Sequence, residues 1–574
     1  MKTNFSQFIS IVIVAILLNA CTNNSVKNTK YIPKDITAVI AVDPKNMADK
    51  LEKAGINVDT LINKLFKTDA EDLVNKAKFF SLRDSSGFNW NEKLYIFLLN
   101  KVLPNTSQAN VFNLMGRLKD AKTFEAYLVK QADFSTKKIE RESNYSYLMN
   151  SDGSMISWDE KTVIATRYER NIVPVYDTVA MKFIVPEKAS VAAELKKEVD
   201  RYYHLKESES IVSNSAFVDL VKTKSDGFAF TTSNNTLNLL SGMPLQLPKL
   251  EELLKDNYLA ASLNFEDGKI VATTRSYTNP LLSSILKKYA GPTVNLSLID
   301  HYPSENINLI MLASFNPEIF GGLLKELEVD NLVNGFMEKT GFSAQELYKC
   351  LKGDIAVVIS DLGRPENHKT DLKNTGQFNI SSFGKMVFNA PVGDAVSFTK
   401  IMNKAAELGY VTKTGNSFKA GKLLSFLGMY LVADEKNFIV ASDSLTYAQY
   451  ISNKNKAVIS NDALNQFKGK STVAYFDIAN TIASYLPRAN GGFKNSMITA
   501  KNTFKDLMAS SENFDGKSVN GKFEIRLNNQ KQNSLVTLAA LFSDIVTDMR
   551  EAAKADRALE DKFISGAPSI IRTN

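Results

Sequence analysis

From residue 31 onward the chain alternates two hydrophobic patterns. Short runs that are apolar or alternate with period two predict strands, and longer stretches with apolar residues three or four apart predict helices. The strand-like runs include Ile36 to Val42, Met155 to Trp158, Thr162 to Thr166, Gly227 to Thr231, Ile307 to Ala313, Met429 to Ala433, Asn437 to Ser442 and Thr472 to Phe476. Hairpin-type strands mixed with helices predict an α+β fold with antiparallel or mixed sheets and helices packed mainly on one face.

The pattern occurs twice. Pro33-Lys34-Asp35 opens the first strand as Pro303-Ser304-Glu305 opens its counterpart, and each strand gives way to a helix after Pro44 or Pro317. Val111-Phe112-Asn113 precedes Asp120 and Phe124 as Val387-Phe388-Asn389 precedes Asp394 and Phe398. Both aspartates are expected to cap helices, because a carboxylate accepts from the free amides of a first turn. Asp159-Glu160-Lys161 and Asp434-Glu435-Lys436 are expected hairpin turns, Asn214 and Asn461 expected starts of short helices, and Asp267-Gly268 and Asn520-Gly521 expected turns that need positive φ. An apolar helix is expected after each, from Pro280 and from Ser534.

This gives a first repeat copy over residues 31–295, a second over 300–560 and a C-terminal tail over 561–574, with the break between Gly291-Pro292 and Pro303. Asp159 and Asp434 are 275 apart whereas Asn214 and Asn461 are 247 apart, so the first copy carries 28 extra residues, placed around 171–213. That insertion is expected either to bind a partner or to cover an exposed sheet edge.

The N-terminus supplies an address. Residues 1–20 read as a lipoprotein signal peptide: Lys2, an apolar run from Phe8 to Leu18 too short to span a bilayer, then Ala20 before Cys21. Leu18-Asn19-Ala20-Cys21 resembles a bacterial lipobox, which implies lipidation at Cys21. The polar segment from Cys21 to Lys30 is suited to a tether. It lacks acidic residues, and by resemblance to surface-exported lipoproteins of Bacteroidetes, which carry an acidic signal there, the expected location is the outer membrane facing the periplasm.

The other composition data mainly exclude. Net charge is +7 with basic and acidic residues interspersed, and no basic stripe or module points to nucleic acid. With Cys21 acylated, Cys350 has no disulfide partner and is expected to be a buried hydrophobe in a helix. The histidines at 204, 301 and 368 lack ligand spacing, Gly469-Lys470-Ser471 and Gly415 to Lys422 miss the phosphate-loop spacing, and no nucleophile elbow is present. No catalytic, cofactor-binding or metal residues are therefore assigned. Asp59-Thr60-Leu61, Asp177-Thr178-Val179 and Asp443-Ser444-Leu445 resemble an O-glycosylation sequon of the Bacteroidetes periplasm.

The lipobox, the Tyr31-Ile32-Pro33-Lys34-Asp35 opening, the strand Ala38 to Val42 with Asp43, and the two-copy layout resemble the large lipoproteins of Bacteroidetes grouped as a domain-of-unknown-function family. The resemblance implies no activity and carries over no site beyond Cys21. The expected role is a membrane-anchored binding or scaffold protein of the cell envelope, attached through its lipid and acting on an envelope protein or polymer. The alternatives are a glycan or peptide hydrolase with a carboxylate site between the copies, and a carrier of lipid or another apolar ligand.

Overall fold

The computed structural model describes residues 26–545 apart from 66–69, 103–107, 132–133, 135–136, 151, 172–174, 178–180, 185–190, 234–248, 364–383, 426–428, 453–458, 490 and 543–544. The signal peptide, Cys21, most of the tether, Thr178 of the second sequon, His368 and the 561–574 tail lie outside the described residues. The chain divides into two compact units, one drawn from residues up to 265 with 271–287 and 514–520, the other from 266–270, 288–513 and 521 onward. The fold is α+β, and the strand pairings within each unit are antiparallel.

The first unit begins with β1 (Ala38–Val42) and the helices α1 (Pro44–Lys53), α2 (Val58–Leu65) and α3 (Ala70–Ser85). Asp43 caps α1, accepting from the Asn46 amide at 3.0 Å, and Pro44 stands at the first helical position, where no amide is needed. Then come β2 (Leu94–Val102), β3 (Gln108–Arg117) and α4 (Ala121–Lys130), with Asp120 as the N-cap. A run of strands follows: β4 (Glu140–Arg141), β5 (Ser146–Met149), β6 (Ser154–Trp158), β7 (Thr162–Asn171), β8 (Val175–Asp177) and β9 (Lys182–Ile184). The unit continues through α5 (Val191–His204), α6 (Ser215–Lys222), β10 (Gly227–Thr232), α7 (Leu250–Leu254), β11 (Tyr258–Glu266), β12 (Lys269–Tyr277) and α8 (Pro280–Lys288). Hydrogen bonding places the strands in the order β4, β5, β6, β7, β3, β2, β1, β10, β11.

The second unit contains β13 (Ile307–Ser314), the helices α9 (Ile319–Glu326), α10 (Asp330–Thr340) and α11 (Ala344–Cys350), β14 (Asp354–Ser360), β15 (Lys385–Pro391) and α12 (Ala395–Glu407), capped by Asp394. It goes on through β16 (Val411–Thr414), β17 (Ser417–Ala420), α13 (Lys422–Ser425), β18 (Tyr430–Ala433), β19 (Asn437–Ala441), α14 (Ser444–Ile451) and α15 (Asn461–Phe467). Last come β20 (Thr472–Asp477), α16 (Ile478–Tyr485), α17 (Gly491–Thr503), β21 (Phe504–Ser511) and β22 (Ser518–Leu527), with helix again from residue 534. The order is β16, β17, β18, β19, β15, β14, β13, β20, β21, β22. Position for position, the first nine strands occupy the same places in the two orders.

Two sequence expectations need correction. Asn520-Gly521 is not a turn: both residues lie inside β22, where Gly521 pairs with Ser511. The β21–β22 turn is at Asp515-Gly516, with Gly516 at φ 97° and Asp515 accepting from the Lys517 and Ser518 amides. Gly268 does take positive φ, at 67°. The short helix α15 starts at Asn461 as expected, with Ser460 as its N-cap.

The second correction concerns the insertion. Within the 171–213 span, α5 buries Leu195, Val199 and Tyr202 against a sheet face in one core cluster with Phe97, Val111, Met155, Ile164 and Tyr168. This helix is not the added element. In the second unit α14 also follows the strand paired with the central hairpin, and its Tyr450 is buried beside Val387 and Ile439. Tyr202 and Tyr450 are 248 apart, so the surplus falls before the helix, in the stretch that carries the β8–β9 hairpin.

Helices are not confined to one face. In the first unit α4 packs Phe124 and Leu128 on Leu148, Ile156, Trp158, Val163 and Ala165, the side opposite α5. In the second, α12 packs Phe398 and Met402 on Phe418, Leu431 and Ala433, opposite α14. Each sheet is thus sandwiched at its hairpin end, while its other end carries its main helix layer on the face of Phe217, Phe228 and Phe230 or of Ile310, Leu312 and Phe467.

Candidate functional site

Among the described residues, the second unit holds a cleft of about 460 Å³ built by α9, α10 and α11 with Tyr289. Its shape starts at Gly321-Gly322 in α9. A Cβ on Gly321 would lie 2.8 Å from the Tyr348 ring, and one on Gly322 would lie 2.2 Å from the Tyr289 ring, so these glycines let two tyrosines close on the helix. Gly341, at φ 92°, ends α10. Ser343 then starts α11 through a capping box with Glu346, which also receives Lys400 at 2.6 Å. The cap is thereby tied to α12 and the sheet below it.

The wall is polar. Glu318, Asp330 and Glu338 supply carboxylates, Lys325 an ammonium, and Asn334 and Gln345 amides. Gln345 donates to Glu318 at 3.1 Å, which fixes one of the carboxylates. Along α10, Asp330, Val333, Asn334 and Glu338 line the cleft at spacings of three and four, while Leu332 and Phe336 stand 72 % and 67 % exposed. Tyrosine rings with hydrogen-bonding groups between them can hold a polar ligand that also presents an apolar or cationic face. The sequence offered one signal for this place, the Gly-Gly pair inside a helix, a costly choice unless something packs close.

Other polar clusters are occupied structurally. Asp226, 1 % exposed, accepts from Asn46 Nδ2 and the Phe265 amide at 2.6 Å each and from Lys50 Nζ, binding α1 to the sheet. Arg526 grips Asp506 through two nitrogens, at 2.5 and 2.7 Å, and reaches Asp462 at 2.9 Å. Asp477 faces Asp506 across β20 and β21. Burial, with the nearby Asp506 charge, lifts its carboxyl above the ordinary range, but it already caps α16 by accepting from Asn480 at 2.8 Å. Neither aspartate is free to serve as half of a hydrolytic pair.

The residues singled out from the sequence do not converge. Cys350 is buried at the end of α11, where its thiol donates to the Leu347 carbonyl at 3.0 Å and burial pushes the thiol pKa up, away from nucleophilic use. His204 contacts the Asp200 carbonyl and Asn144, and His301 lies beside Tyr450. Asp59 is paired with Arg83, and Asp443 caps α14 by accepting from the Thr446 amide at 2.7 Å, so these two of the three sequon aspartates have local structural partners. Among the described residues, no three His, Cys, Asp or Glu side chains come together to hold a metal, and no helix is long and apolar enough to cross a membrane.

These are the features of a helix-capped, antiparallel α+β protein with a polar cleft. The chain belongs to the family described as Domain of unknown function (DUF4836), whose model matches residues 28–535. No curated protein and no solved structure matches it.

Proposed function

We propose that this is a Bacteroidetes-type envelope lipoprotein, anchored through Cys21 in the outer membrane and facing the periplasm, that binds a segment of an envelope polymer, glycan or peptide, in the cleft of its second unit. The carrying observation is that cleft: two tyrosine rings drawn in by Gly321-Gly322, with carboxylates and amides lining the same space. Matching strand orders further support descent of the two units from one module by duplication. The anchor rests on the Leu18 to Cys21 string and the polar stretch after it.

Two measurements test the reading. Cys21→Ala should move the protein out of the membrane fraction or leave its signal uncut; unchanged fractionation and acyl labelling would remove the anchor. Calorimetric titration of the purified chain with envelope glycan and peptide fragments should give saturable binding that Tyr348→Ala weakens roughly tenfold. Binding indifferent to Tyr348 would dismiss the cleft, and turnover of a fragment, abolished by a substitution of Glu318, Asp330 or Glu338, would move the protein to the hydrolase class.

A further inference from the structure

The hairpin-end helices α4 and α12 leave much of their own sheet face beyond their reach. In the first unit that face continues past Leu114 onto Ile96 and Leu98 of β2, Ile40 of β1, Ala229 of β10, and Leu259 and Ala261 of β11. Ile40 lies opposite both Ile96 and Ala229 and is 49 % exposed, and Leu259 is 40 % exposed. The second unit repeats the arrangement. Past Phe388 the face runs over Val357 and Ile359 of β14, Leu309 and Met311 of β13, and Ala474 and Phe476 of β20. Met311, opposite Val357 and Ala474, is 40 % exposed.

Three properties of this face restrict its occupant. First, every residue alternating onto it from β2, β1 and β10, and from β14, β13 and β20, is uncharged, and all but Asn100, Gly227, Thr231 and Thr472 are aliphatic, Met or Phe. A charge-free face matches an uncharged, apolar occupant, whereas a protein partner usually brings about one hydrogen bond per 100–200 Å². Second, β1 is paired on both sides, as is β13, so their backbones offer no edge for an added strand. Third, Ile96, Leu98, Ala229, Val357, Ile359 and Phe476 are only partly exposed. A slender chain reaches such sheltered positions and a flat bilayer does not. Bilayer docking would in addition favour basic residues, which these strands do not place there.

We infer that the open sheet face of each unit, centred on Ile40 and on Met311, holds the acyl chain of a single lipid or fatty acid. This site is separate from the cleft and independent of the Cys21 anchor. The sequence carried its trace in strands that are apolar on both faces, Ala38-Val39-Ile40-Ala41-Val42 and Leu309-Ile310-Met311-Leu312-Ala313, where a strand with one face in water would alternate.

The test uses the full chain with Cys21→Ala, purified without detergent so that its own anchor cannot occupy the face, and titrated with the fluorescent fatty acid cis-parinaric acid. We expect saturable binding displaced by palmitate, weakened roughly tenfold by Ile40→Lys combined with Met311→Lys, and retained by Ile40→Leu. Circular dichroism should show the native spectrum in each variant. Phe336→Ser, which removes an exposed ring elsewhere, should bind as the parent does, and vesicles of neutral or anionic phospholipid should not carry the protein up a density gradient. The inference is overturned by absence of saturable binding, by equal affinity in the double lysine variant, by loss of binding in Phe336→Ser, by vesicle flotation without probe binding, or by a dimer that the lysines dissolve. None of these outcomes bears on polymer binding at Tyr348.

Discussion

At the scale of single residues, the stability of this chain depends on a few buried charges that each have one defined task. Asp226 holds a lysine, an amide side chain and a backbone amide at once. Asp226→Ala would leave those donors unmatched and should cost about 3 kcal/mol in chemical denaturation. Asp361 provides the pH-sensitive counterpart. Burial alone would raise its carboxyl, but Lys385 at 3.0 Å, with Asn306, outweighs it and holds the group below the ordinary carboxylate range. A carboxyl depressed on folding adds stability that is complete above its unfolded pKa and is lost as pH falls through the folded value. Lys385→Met should therefore be destabilising at neutral pH, and the gap to the parent should narrow below about pH 4 in thermal melts. A gap that stays constant down to pH 2 would show that Lys385 acts only by packing. Gly322→Ala tests the cleft, since its Cβ would fall 2.2 Å from the Tyr289 ring. The ring must move, with an expected cost of about 1–3 kcal/mol and weaker ligand binding.

At the scale of elements, the sequence is a good guide where one residue does a local job and a poor one where two residues far apart decide. Asp120 and Asp394 were legible as caps because the carboxylate and its amides are three residues apart. The final hairpin was not. Asn-Gly is a stronger turn signal than Asp-Gly flanked by lysine, yet pairing of β22 with β21 draws Asn520-Gly521 into the strand and sets the turn at Asp515-Gly516. Gly516→Ala should therefore cost about 1–2 kcal/mol, and Gly521→Ala less; the reverse order in denaturant midpoints would contradict the pairing seen here. The Asn113 and Asn389 correspondence shows the same limit. Asn389 donates to the buried Tyr450 hydroxyl at 2.9 Å, and Asn113 faces Tyr202 while donating to the Phe97 and Val111 carbonyls at 3.3 Å. The asparagines align easily, but Tyr202 lies beyond the extra hairpin, so its match with Tyr450 emerges only in three dimensions.

At the scale of the whole molecule, the strand order is the feature least legible in the sequence. Alternation tells which side chains share a face, but not that β1 and β13 are flanked by strands from both halves of their units. The cleft was equally hidden, because Tyr289, Gly322 and Tyr348 are separated by dozens of residues and only the helix packing of α9 to α11 unites them. The proposed anchor, by contrast, rests on four consecutive residues, and the fold contributes nothing to reading it.

The central claim is that this cleft binds an envelope polymer. Its most direct test is crosslinking in living cells, with a photoreactive amino acid at Asn334 in the full-length protein. The account predicts a reproducible glycan or peptide adduct, lost when Tyr348→Ala is added and reduced when Cys21→Ala removes the protein from the membrane. Adducts that persist unchanged in Tyr348→Ala, or no adduct in cells where the protein is abundant, would contradict it.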